Sequence, residues 1–214
     1  MGSKQLFSEV LSVRFCREWW GKSRSERKRI IKGLVKRLKD WKIDANAEKG
    51  ELYVSLRSDS DLIFWFMAVK PESLVKAKLM VGEMIGTFAL ASHGFMSVYD
   101  SHTTKETPRD NIYFVAYPIS KDREWYLLDE GERKRVTAQH IRIAVESKNN
   151  NGAVSYTTKS FGIGDNEFVV IYELAGIPEW VKVTEELRGA EARRWIRNEA
   201  PILLGIRYES GDFF

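Results

Sequence analysis

Glu26-Arg27-Lys28-Arg29 returns 106 residues later as Glu132-Arg133-Lys134-Arg135, and the aromatic pair Trp19–Trp20 returns at the same offset as Trp125–Tyr126. Pro71–Glu72 and Pro178–Glu179, 107 apart, each follow an apolar run that reads as a buried strand. A charged tetrapeptide alone can recur by chance. Offsets of 106 or 107 for three features inside a shared order of elements point to an internal duplication, and that limits the architectures open to the chain.

The local patterns supply the order. Phe7 to Arg17 alternates as a strand ending at Trp19–Trp20, and Ser23 or Ser25 caps a helix through about Lys42 whose Ile30, Ile31, Leu34, Val35, Leu38 and Trp41 recur at helical spacing. Glu51 to Ser58 alternates as a half-buried strand, and Leu62 to Val69 is a continuous apolar run that predicts a strand covered on both faces. Pro71–Glu72 opens a second helix and Gly94 to Ser101 is a further strand. The same sequence of elements follows from Ile112: strand, charged helix to about Ser147, an Asn149–Gly152 turn, strands over 153–161 and 167–175, a helix from Pro178, and a last strand over 200–208.

The expected fold class is therefore α+β: two tandem ferredoxin-like β-α-β-β-α-β repeats forming a dimeric α+β barrel within one chain. The expected units are 1–101, a polar linker over 102–111, and 112–214. With 34 basic residues against 30 acidic ones, a net charge of +4 describes a solvated surface better than a nucleic-acid footprint. Cys16 is the one cysteine, which excludes a disulfide framework or a thiolate zinc site and fits a cytoplasmic protein. The opening residues MGSKQLF carry no signal-peptide segment, and the longest apolar run falls far short of the roughly 20 residues a membrane span needs.

Duplicated halves start equivalent, so their differences are informative. His140 falls 106 residues after Leu34, on the helix face shared by Val136, Ile143 and Ala144. Two readings of that imidazole stand side by side: a core histidine bonded to a carbonyl, or a general base or metal ligand aimed into a pocket. Its helix carries no cysteine, histidine and carboxylate set to complete a zinc site, so one lone ligand suits an iron already held by a macrocycle. Tyr117 and Lys121 flank a turn at Pro118, where a phenol and an ammonium can recognise carboxylates and move protons. The planes of Trp125 and Tyr126 either close a core or flank a flat ligand. His93, at a helix-to-strand junction, and His102, in the linker, read as surface residues.

At these residues, YFVAYPISKDREWYLLDEGERKRVTAQH (113–140) resembles the signature of the chlorite dismutase-like superfamily of heme proteins, which includes the peroxide-dependent coproheme decarboxylases. FGIGDNEFVVIYEL and LRGAEARRWIRNEAPILLGIRY continue the resemblance, and LYVSLRSDSDLIFWFMAVKPESL extends it into the first half. The resemblance implies heme b or iron coproporphyrin as cofactor or substrate, hydrogen peroxide as co-substrate, and a homopentamer. It makes His140 the axial iron ligand, Trp125 a wall of the pocket, Tyr117 the redox-active phenol, and Lys121 the partner of the reacting propionate. The position opposite the iron ligand matches Ser155, with Tyr156 or Thr157 in its place if the register slips around Asn149–Gly152. The superfamily's chlorite dismutases carry an arginine there and many decarboxylases a glutamine; neither occurs from Ala153 to Gly162, which counts against chlorite dismutation.

The leading expectation is a heme-dependent oxidoreductase that decarboxylates iron coproporphyrin to heme. A peroxidase-like or porphyrin-carrying protein of the same superfamily is the first alternative. A duplicated ferredoxin-like module binding RNA or a protein partner is the second; it requires sheet aromatics in solvent, whereas the aromatic run 62–69 reads as buried.

Overall fold

The computed structural model describes residues 4–101, 106–209 and 213–214; His102 and residues 103–105 of the linker lie outside the described residues. Strand β1 (Lys4–Phe15) leads through a single turn of helix, α1 (Arg17–Trp20), into α2 (Arg24–Asp44), followed by β2 (Lys49–Ser55), β3 (Leu62–Ala68), α3 (Pro71–Ile85) and β4 (Ala89–Ser101). The second half runs β5 (Tyr113–Lys121), α4 (Arg123–Leu127), α5 (Glu130–Glu146), β6 (Val154–Lys159), β7 (Phe168–Leu174), α6 (Ile177–Leu187), a 3-10 turn (Glu191–Trp195), β8 (Ile196–Asn198) and β9 (Leu203–Arg207).

Helix starts follow local chemistry. Ser23 caps α2 in a reciprocal capping box with Glu26, Asp129 accepts from the Glu132 amide at the start of α5, and prolines sit in the first turns of α3 and α6. No helix among the described residues is long and apolar enough to cross a membrane.

The strands run in the order β7-β6-β4-β1-β3-β2-β9-β5, and β5 pairs back onto β7 to close an eight-stranded antiparallel barrel; β8 adds to the end of β5. This corrects the expected two tandem repeats meeting as a barrel. There is one continuous closed sheet, with no pair of separate sheets stacked face to face. The cause is edge pairing: β2 and β4, the edges of the first half, would leave rows of unpaired amides and carbonyls, and β9 and β6 from the second half take them up. The second half also carries elements a strict copy would lack, the 3-10 turn and β8.

β3 shows why its sequence is apolar throughout. Ile63, Trp65 and Met67 fill the barrel interior with Tyr53, Phe114, Tyr156 and Ile171, while Leu62, Phe64, Phe66 and Ala68 face outward beneath α2 and α3. On that outer side Ile31, Leu34, Leu38 and Trp41 of α2 and Leu74, Ala77, Met80 and Val81 of α3 pack down onto the sheet. The seal is tight, and Leu34 is 0% exposed.

The opposite side of the barrel is covered differently. α5 buries only Val136, and its cluster is small: Trp125, Val136 and Ala192, with Leu128 and Trp195 against them. Ile141 and Val145 of α5 and Val181 of α6 remain more than half exposed. The repeated charged helices thus pack unequally, and the looser one leaves a cleft.

Candidate functional site in the cleft under α5

Alternation along three strands aims one set of side chains into this cleft. Val115, Tyr117, Ile119 and Lys121 of β5, Ser155 and Thr157 of β6, and Phe168, Val170 and Tyr172 of β7 all line it, while Phe114, Ala116, Tyr156, Val169 and Ile171 point into the barrel. α5, α6 and the 3-10 turn roof it. It comprises three adjoining cavities of about 360, 220 and 210 Å³, each lined by His140. Volumes of about 300–1,000 Å³ are usual for small-molecule sites. A larger groove of about 910 Å³ separates α2 from α3, but its rim of Arg37, Asp40, Asp44, Lys70 and Lys76 includes neither histidine nor cysteine. A more open cavity of about 380 Å³ is lined by Arg14, Cys16, Asp59 and His93, away from the cleft.

His140 is the centre of it. Its Nδ1 is buried with no hydrogen-bond partner. Burial first, then the nearby charges of Lys121 and Arg193, push its pKa below the usual histidine value, against an opposing pull from Glu199. A neutral imidazole in an apolar setting is the form that donates a lone pair to a metal. Among the described residues no three His, Cys, Asp or Glu side chains gather as a metal site.

Lys121 ends β5 where its pairing with β8 is irregular: Ser120 faces Asn198 and Lys121 faces Ile196, leaving Arg197 of β8 as the extra residue. Its Nζ lies 3.6 Å from the centroid of the Trp125 ring, a cation–π contact. Burial lowers its pKa to about 8; Glu167 resists that shift and Arg193 adds to it. Trp125 is buried and packs on Trp195 with ring centroids 5.4 Å apart.

Tyr117 stacks near Tyr172, with centroids 6.2 Å apart, and Tyr172 lies 4.3 Å from the Trp180 ring. Burial, and then the neighbouring phenol of Tyr172, raise the Tyr117 pKa well above the ordinary tyrosine value, so its phenol keeps its proton at neutral pH.

The structure therefore brings together Tyr117, Lys121, Trp125, His140 and Ser155. Of the register alternatives to Ser155, Thr157 shares the cleft and Tyr156 lies inside the barrel. Tyr126 is not brought in. It is 37% exposed, does not line the three cavities, and donates its hydroxyl to Glu167 Oε2 at 2.6 Å. His93 sits away from the cleft, its Nε2 3.6 Å from Asp59 Oδ2.

Sequence reasoning missed several members. Glu199 lines the cleft and is clamped by Arg193 and by Arg188 at 3.0 Å, contacts that hold its carboxyl below the usual range against the effect of burial. Glu167, Tyr172 and Arg193 were missed as well. No periodicity in their own segments sets them apart, because their partners lie on other elements.

Chemically, the site offers a neutral imidazole, an ammonium against an indole, a protonated phenol, and apolar walls from Ile119, Ile141, Phe168 and Val170. That set suits a flat, mostly apolar ligand bearing carboxylates.

The comparisons with known proteins agree with this geometry. The family model described as chlorite dismutase matches residues 27–208. The coproheme decarboxylase of Mycolicibacterium smegmatis is 27% identical over 165 residues, 71% of this chain and 69% of that protein. A chlorite dismutase-like protein of known crystal structure is 37% identical, with a TM-score of 0.86 over 99% of this chain and 97% of its own. A heme-binding protein from Thermus thermophilus, at 17% identity, shares the fold with a TM-score of 0.80 over 97% and 94% of the two chains. A family match over most of the length, on a barrel whose second half opens a cleft around one histidine, leads to a single assignment: this chain belongs to the chlorite dismutase family.

Proposed function

We propose that the cleft binds heme or iron coproporphyrin and that the protein, acting in the cytoplasm with hydrogen peroxide as co-substrate, decarboxylates iron coproporphyrin to heme. One observation carries the reading. His140 is an imidazole kept neutral by burial in the cleft, with an unpartnered nitrogen. A lone neutral imidazole fits a macrocycle-held iron, which needs a single axial protein ligand.

When bound, iron coproporphyrin with peroxide supplies the one-electron oxidising chemistry. The chain's own residues do the rest. His140 would hold the iron. Lys121, half-buried and lining the largest of the three cavities, would hold a propionate carboxylate and return a proton at Nζ. Tyr117 keeps its phenol proton through burial, so oxidising it requires giving that proton up. Trp125 walls the pocket and holds the Lys121 ammonium over its ring. Ser155 and Thr157 present short uncharged groups from the facing strand.

That facing strand favours a second reading, a peroxidase-like heme protein without decarboxylation. No charged or amide side chain from β6 lines the cavities, and Arg193, the arginine bordering the largest of them, is tied to Glu199. β6, the strand facing the imidazole, offers no cation to stabilise a chlorine oxyanion, so chlorite dismutation is the least favoured of the family's activities.

Titration with heme and with iron coproporphyrin, followed by peroxide and product mass measurement, tests the reading. The expected result is a shifted Soret band that His140→Ala abolishes, and a product lighter by one carbon dioxide and two hydrogens for each of two propionates converted, the hydrogens leaving with one peroxide per propionate as water. A Soret band unchanged in the variant removes His140 from the iron. A bound porphyrin that loses no carbon dioxide leaves the peroxidase-like reading. Sedimentation of the loaded protein tests the five-subunit ring that completes the proposal.

A further inference from the structure

We propose that Glu167 is a positioning residue for this site: its carboxylate holds the C-terminal end of β5 and the α4 turn together, and so aims Lys121 at the ligand's carboxylate. The inference rests on the porphyrin reading above and names the group on which its carboxylate recognition depends.

Where β5 meets β8 the ladder is irregular: Ser120 pairs with Asn198 and Lys121 with Ile196, so the extra residue, Arg197, lies on β8. Here the Lys121 N–H, at the register shift, donates to Glu167 Oε2 at 2.7 Å. The same oxygen accepts the Tyr126 hydroxyl at 2.6 Å. The Glu167 main chain is pinned from both sides as well: its N–H donates to the Ile119 carbonyl at 3.0 Å, and its carbonyl accepts from the Ser160 N–H at 2.8 Å. One carboxylate oxygen therefore ties together β5, α4 and the loop that leads into β7.

Both ends of the tie touch the cleft indirectly. Tyr126 follows Trp125, the ring on which the Lys121 ammonium rests, so fixing Tyr126 fixes that ring's helical turn. Fixing the Lys121 N–H sets the backbone from which the ammonium projects. Glu167 lines none of the three cavities and acts through Lys121 and Trp125. Two short bonds to one ionised acceptor are among the stronger hydrogen bonds a protein forms.

The test compares Glu167→Ala, Glu167→Gln, Lys121→Met and the Glu167→Ala/Lys121→Met double variant. In the ligand-free protein, amide exchange at Lys121 should accelerate by about tenfold or more in Glu167→Ala. Gln keeps an acceptor for both donors and should restore protection. In the ligand arm, affinities for iron coproporphyrin and for its tetramethyl ester are compared. The preference for the free acid should fall about tenfold in Glu167→Ala, the worth of one charge-assisted hydrogen bond, and similarly in Lys121→Met. The double variant should be no worse than Lys121→Met, because both changes remove one interaction. Unchanged exchange at Lys121, or effects that add in the double variant, would overturn the proposal. If the wild-type protein binds neither porphyrin, the heme reading fails and the exchange arm still decides the role of Glu167. Should Glu167→Ala not fold, Tyr126→Phe removes the carboxylate's other donor and carries the same measurements.

Discussion

Replacing His140 with leucine, the residue 106 positions earlier in the chain, should make the ligand-free protein more stable. In the native protein Nδ1 is buried without a partner, and an unsatisfied buried polar atom costs about 1–3 kcal/mol. Leucine removes that cost and adds apolar contact with Ile119, Ile141 and Phe168, although the cavities beside the ring limit the gain. A net stabilisation of about 2 kcal/mol is expected, which for a chain of this size raises Tm by about 4–8 °C. The gain should also grow on acidification. The folded state depresses the pKa of His140, so between the folded value and the unfolded value near 6.5 the unfolded chain binds the extra proton. Stability of the native protein therefore falls as pH drops below about 6.5, and the leucine variant loses this part of the slope. Thermal unfolding of both proteins at pH 7.5 and 5.5, without porphyrin, measures both effects. Adding heme should reverse the order, because only the protein that binds it is stabilised by mass action. A leucine variant that melts below the native protein at pH 7.5 would refute the reasoning: the imidazole would then be a contributor to packing rather than a burden kept for a ligand.

The reciprocal change, Leu34→His, puts an imidazole into a sealed core among Ile31, Leu38 and Phe64, and should cost about 3–5 kcal/mol in urea unfolding. Affinity for the free-acid porphyrin should weaken as pH rises through about 8, where Lys121 loses its charge, and affinity for the tetramethyl ester should not; titrations across pH 6.5–9.5 check this. Gly205→Ala should destabilise by about 1–3 kcal/mol in denaturant midpoint, because an added Cβ would sit 2.9 Å from Tyr53 Cβ and 3.0 Å from the Val54 carbonyl oxygen at the β2–β9 seam.

Much of the local structure is legible in residue patterns, with instructive misses. The patterns put Trp19–Trp20 at a strand end, yet that pair, like Trp125–Tyr126, lies in a helical turn of four or five residues, too short to show a period. β4 begins at Ala89 rather than Gly94, since pairing with β1 extends it past a register irregularity near Ser12 and Val13. The run 62–69 is recognisable as doubly buried because continuous hydrophobicity needs no partner to be seen.

What the sequence by itself determined is the order of elements, their caps and the anomaly of His140, since each depends on residues within a turn or two of one another. It also placed Tyr117, Lys121 and Trp125 near that anomaly through a resemblance spanning a single segment. The tertiary structure alone decided that the sheet closes into one barrel, because the β2–β9 and β4–β6 pairings join edges more than fifty residues apart and leave no local period. It alone decided that α5 stands off the sheet while α2 seals it, a difference in packing between helices that carry the same charged tetrapeptide. The same holds for Glu167 and Glu199, whose roles come from donors on other elements. Hydrogen bonds and cavities are properties of distances between segments, and a linear pattern records only what lies along one of them.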